Sequence, residues 1–157
     1  MRATLLVTLA LSAVPASASC QAGRTGIPWD LSDSIVVVEG RRLSLRVSAW
    51  RDFMPRPGGA QAGSDLMINL QVFTLDSAPL PVGLRVDSAW ARSKEGVWRA
   101  APSEEPRPDL PNGLDLMLRG GPEWATDQRI DVLIRLRLPS GTTSYLGVLR
   151  QPIGRTM

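Results

Sequence analysis

The stretch QRIDVLIRLRLPSGTTSYLGVLRQPI, residues 128–153, decides the fold. Ile130, Val132, Ile134, Leu136 and Leu138 recur at every second position, with Asp131, Arg135 and Arg137 between them. An extended strand gathers such a set on one face and leaves the other wet. Ser140-Gly141 then supplies a tight turn, because glycine accepts the positive φ that two-residue hairpin loops need. That loop sets a register in which Leu136 faces Tyr145, Val132 faces Leu149 and Asp131 faces Arg150. Apolar pairs inside and opposite charges outside agree with it. The segment predicts an all-β fold and carries no chemistry of its own.

The rest of the chain repeats the pattern in shorter pieces. Ser34 to Val38 is a valine-rich first strand, and Glu39-Gly40 turns it. Arg42 to Asp52 alternates, with Leu43, Leu45, Val47 and Ala49 inward and Arg46, Ser48 and Trp50 outward. Asp65 to Leu75 is apolar on both parities except at Asn69 and Gln71, which fits a covered central strand. Leu84 to Lys94 and Val97 to Ala101 read as a second hairpin. A three-residue turn at Lys94-Glu95-Gly96 sets Arg92 across from Trp98 and avoids pairing Arg92 with Arg99. In that register Leu84, Val86 and Trp90 share the inner face, and Trp98 points outward. Leu114, Leu116 and Leu118 mark another strand, stopped by Gly120-Gly121-Pro122, and Trp124 is assigned to packing. Two proline-marked loops, Phe53 to Ser64 and Pro102 to Gly113, interrupt the series.

About eight short strands with turn signals between them, and no amphipathic helix, predict an antiparallel two-sheet sandwich over residues 34–157. Trp90 on an inner face resembles the core tryptophan of immunoglobulin-like and fibronectin type III-like domains. The resemblance is one of architecture, since the cysteine pair of antibody domains is absent.

Residues 1–19 read as a signal segment: Arg2 opens it, Leu5 to Val14 is apolar, and Pro15 ends the run. That run is too short to span a bilayer. Two cuts compete. Ala16-Ser17-Ala18 matches the small-x-small pattern of ordinary signal peptidase, which would release a soluble secreted chain. Ser17 to Cys20 resembles the lipobox of bacterial lipoproteins, with Ser17 where that motif carries a large aliphatic residue. The resemblance implies lipidation of Cys20, the only cysteine, which has no disulfide partner within the chain. Each buried methylene contributes about 0.8 kcal/mol, so two or three acyl chains anchor firmly. The resemblance further implies, with Gln21 after the cysteine in place of the Asp of inner-membrane retention, an anchor at the outer-membrane or periplasmic face. Residues 20–33, rich in Gly, Pro and polar side chains, then form a tether, with Trp29 set to tuck against the domain edge.

Composition excludes several chemistries. With no histidine there is no Ser-His-Asp or Cys-His arrangement and no commonest zinc ligand. Lys94, the only lysine, lacks a serine three residues before it and suits a turn. Glu104 and Glu105 are adjacent in a proline-rich loop with nothing to orient them as a glycosidase pair. Neither a metal nor a cofactor is expected. The net charge of +3 falls to +2 when Arg2 leaves with the signal, and the bases are scattered singly along strands, so no nucleic-acid footprint forms.

What remains is a binding surface. Trp50 and Trp98 fall on outward parities, with Arg46 and Arg92 on the same faces. Aromatic and arginine side chains are what protein interfaces favour. The sequence therefore predicts a non-enzymatic envelope lipoprotein that binds or scaffolds a protein partner, with Cys20 lipidated. The alternatives are a protease-inhibitor-like domain acting through one of the proline-rich loops and a small carboxylate-based hydrolase.

Overall fold

In the computed structural model the described residues are 26–30, 35–54, 63–105 and 112–156. They form nine strands: β1 (Ile35–Val38), β2 (Arg41–Asp52), β3 (Leu66–Thr74), β4 (Arg85–Ser93), β5 (Gly96–Ala100), β6 (Ser103–Glu104), β7 (Gly113–Gly121), β8 (Arg129–Arg137) and β9 (Thr143–Thr156). Among the described residues there is no helix, and so none long and apolar enough to cross a membrane.

The all-β expectation holds, and the layering is more particular than two antiparallel sheets. Hydrogen bonding runs in one path, β5-β4-β8-β9-β2-β3-β7-β6, with β1 also on β2. The sheet curls into a half-barrel around a single core. β9 makes the join. Its first part pairs antiparallel with β8 as far as Pro152, and Ile153–Thr156 runs parallel to Ala49–Asp52 of β2. Near the end of its first part β9 is bulged, with Arg150 at φ 57° and its N–H donating to the Asp131 carboxylate at 3.0 Å. A bulge of this kind bends a strand and raises its twist, which lets one strand serve both arms.

Alternation places the core well. Leu43, Leu45, Val47 and Ala49 of β2 and Ile130, Val132, Ile134 and Leu136 of β8 are all buried in one cluster, and Trp124 packs there too. Glu39 and Gly40 both have positive φ (47° and 75°) and close the β1–β2 hairpin as a two-residue turn. At the far ends of the path, β5 approaches β7. A Cβ on Gly121 would lie 2.9 Å from both the Leu66 carbonyl oxygen and the Trp98 ring, so the bare backbone there is what admits the tryptophan.

Two hairpin registers and the inner face of one strand depart from the expected ones, each by one residue. The terminal hairpin closes with Leu138 N–H donating to the Thr142 carbonyl at 3.0 Å, so the loop is Pro139-Ser140-Gly141. Leu136 then pairs with Ser144 and Val132 with Val148, which leaves Tyr145 on the outer face and Leu149 exposed. The β4–β5 turn is the two residues Lys94-Glu95, with Ser93 opposite Gly96 and Arg92 opposite Val97. Ala91 therefore faces Trp98, and Trp98 packs inward against the core. Finally, the β4–β8 register shifts between Val86 and Ser88. Val86 points inward, and after the bulge it is Ala89 and Ala91 that do so, which turns Trp90 to the outer face. A one-residue slip exchanges the two faces of a strand, so each shift moves an aromatic ring across the sheet.

Candidate functional site

The outer face of the β5-β4-β8-β9 arm gathers these relocated rings. Its ladder sets Arg99 opposite Trp90 and Trp90 opposite Leu133, with Ser88 opposite Arg135 and Arg135 opposite Tyr145 in the next row. Trp90 is only 7% exposed although it faces away from the core. Its ring lies 6.3 Å from that of Tyr145, and the guanidiniums of Arg99 and Arg135 sit 5.8 Å and 6.0 Å from its centroid. Gly26 and Ile27 complete the lining of a groove of about 570 Å³ here, together with Val97 and Arg99.

The bulge that reorients Trp90 also fixes its neighbour. Asp87, the residue left out of the β4–β8 ladder, grips Arg135 in a fork, accepting from Nε at 2.7 Å and from an Nη at 3.1 Å. The hydrogen bond from Arg135 holds the Asp87 carboxyl below the usual carboxylate range against the opposing effect of burial, with help from Ser88 and Arg137. Arg135 is raised in return, chiefly by Asp87 and also by Tyr145. Such a fork immobilises a guanidinium far better than a single contact does. Arg99 is held differently. Its described contacts are the Trp90 ring and a 3.5 Å approach to the Ser88 hydroxyl, and no described carboxylate pairs with it.

Arg92 borders the same face. It donates to Asp131 at 2.7 Å and lies 4.4 Å over the ring of Trp29, which holds that tryptophan against β4 beside the groove. Asp131 uses its other oxygen on the Arg150 N–H, and Arg129 donates to the Arg150 carbonyl at 2.9 Å. The β9 bulge and the Arg92–Trp29 stack thus share one carboxylate.

The residues expected to form the binding surface do not come together. Trp50 is half-buried on the outer face of β2 opposite Met67, whereas Trp98 is on the inner face against Gly121. Arg46 lies 5.3 Å over Phe73 and reaches Gln71, while Arg92 stands on β4, beyond β9 and β8 in the sheet. Of the four, Arg92 alone adjoins the groove. Cys20 lies outside the described residues, as do 55–62 and 106–111, the middles of both proline-marked loops. Glu105 is ion-paired with Arg119 and Glu104 is exposed on β6, so the adjacent pair expected as candidate catalytic carboxylates is split between a salt bridge and solvent. Among the described residues no group of three or more His, Cys, Asp or Glu side chains is placed to hold a metal. A second hollow of about 360 Å³, rimmed by Asp52, Asp65 and Arg119, is open and lacks an aromatic floor.

The groove had a faint signature in the sequence. Ser88 falls at an inward position of the expected alternation and Ala89 and Ala91 at outward ones, which is the pattern a bulge at Asp87 leaves behind. No protein-family model matches the chain, and no characterised protein or solved structure matches it.

Proposed function

We propose that this chain is a non-enzymatic binding module of a bacterial cell envelope, exported and held by lipid at Cys20, which meets a protein partner through the groove over Trp90. The observation that carries the reading is the pairing of Trp90 and Tyr145 with two arginines on a face that a β-bulge has turned away from the core. Large rings with adjoining guanidiniums give contact area at low entropic expense, which is why interfaces select them. The two arms of the curled sheet face each other over one core, as the layers of an immunoglobulin-like sandwich do, and form a stiff platform for that face. The leader over residues 1–19, just before Cys20, and Trp29 lying beside the groove support an anchored arrangement. A catalytic role is not assigned, because the chain has no histidine, its lone cysteine lies in the anchor segment, and Lys94 stands in an exposed turn.

In-cell photocrosslinking tests the proposal. A photoreactive residue at Val97, on the groove edge, should yield a discrete partner adduct, and one at Val82, an exposed loop position, should not. Equal labelling at both positions, or none at Val97, overturns the reading. In the same cells Cys20→Ala should move the protein from the membrane to the soluble fraction, and retention in the membrane rejects the lipid anchor.

A further inference from the structure

We infer that the groove binds a ring-bearing organic acid, with the ring against Tyr145 and Val97 above Trp90 and the carboxylate on Arg99. The inference rests on the groove being the recognition face and adds the chemistry of what enters it. Charge gives the first argument. Arg99 and Arg135 line the groove, and among the described ion pairs Asp87 is the acid bound there, to Arg135 at 2.7 Å, with Arg137 also drawn to it at 3.7 Å. The local balance is positive, and a low-dielectric hollow strengthens its hold on an anion.

Partnering gives the second. Arg135 is spent on the Asp87 fork, so it serves as a fixed plate beside Trp90. Arg99 keeps its planar set of donors free of any described acid, and it is exposed at the groove edge. A carboxylate matches that fork geometrically, while a point anion would not use it fully. The third argument is the lining. Trp90, Tyr145, Val97 and Ile27 present ring and aliphatic surface, and about 570 Å³ lies within the range of small-ligand sites. A hollow for bare inorganic anions would not need that apolar floor. The acid can be a free molecule or a group carried on the partner, since the recognising chemistry is the same.

Calorimetric titration of the purified protein with 2-naphthoate and with its neutral analogue 2-naphthamide tests this. Naphthoate should bind at a single site, and the amide about ten-fold more weakly or worse, as expected for loss of one charge-assisted contact. Arg99→Gln should abolish the preference for the acid, bringing acid and amide to equal affinity. Lys94→Gln, in the turn outside the groove, should keep the preference and so excludes a general charge effect. Equal binding of acid and amide, no binding at millimolar concentration, or a preference that survives Arg99→Gln each overturns the inference. A crosslinked partner at position 97 without acid preference sinks this inference and leaves the protein-binding reading standing. Acid preference without any crosslinked partner does the reverse.

Discussion

Asp87 is the residue on which the groove depends. As the bulged position of β4 it sits outside the ladder, and its carboxylate both fills the bulge with a strong contact and locks Arg135 beside Trp90. The linkage has a definite sign. The folded-state pKa is depressed, so the stabilisation is fully present above the unfolded carboxylate value of about 3.9 and is lost as pH falls through the lower folded value. Stability should therefore fall on acidification below about pH 4. Asp87→Asn should lower stability at neutral pH and flatten that acid limb, read by urea unfolding at several pH values. Asp76 is depressed as well, chiefly by the Ala78 amide, so some acid dependence should survive the substitution. An unchanged acid limb in Asp87→Asn would show that the fork does not form in solution.

Among the elements, the hairpins differ in how firmly their turns are specified. Glu39-Gly40 requires positive φ at both residues, and glutamate meets that requirement poorly because its Cβ crowds the backbone. Glu39→Asn should stabilise the protein by about 0.5 kcal/mol, since asparagine tolerates this region, and the midpoint of thermal unfolding should rise accordingly. A fall in the midpoint would mean that the turn has another geometry. The Lys94-Glu95 turn carries a weaker signal, because Gly96 beside it can be counted into the loop or into β5. Charge repulsion between Arg92 and Arg99 argues correctly against one register but does not select between the other two. Trp98 decides it: the inward position buries the ring against the core and Gly121, a larger gain than any rim pair supplies.

At the scale of the molecule, the curl requires that β5 and β7 come together while β9 joins the two arms. Gly121 stands at that approach, with the Leu66 backbone on one side and Trp98 on the other. Gly121→Val should push the edges apart and destabilise the fold by roughly 2 kcal/mol or more, because a backbone oxygen cannot move aside as a side chain can. Chemical denaturation measures it, and a stability equal to that of the parent would remove the contact from the account. At the open end below β2, the buried Arg51 gathers the carbonyls of Ser64, Glu123 and Trp124 with its guanidinium. Its hydrogen bonds let a charged group close the core at a place where the sheet leaves loop carbonyls unpaired.

The order of residues alone determined the all-β class, the inward faces of β2 and β8, the Glu39-Gly40 turn and the lack of histidine chemistry. Each of these follows from local side-chain period or from composition. Only the tertiary structure decided where Trp90, Trp98 and Tyr145 point, because each orientation turns on a single-residue offset. Locally the competing offsets differ little in energy. The choice between them comes from which ring fits the core across a neighbouring strand, and that neighbour is distant in the chain. The same holds for β9, whose passage from β8 to β2 ends in a parallel pairing no alternation pattern encodes.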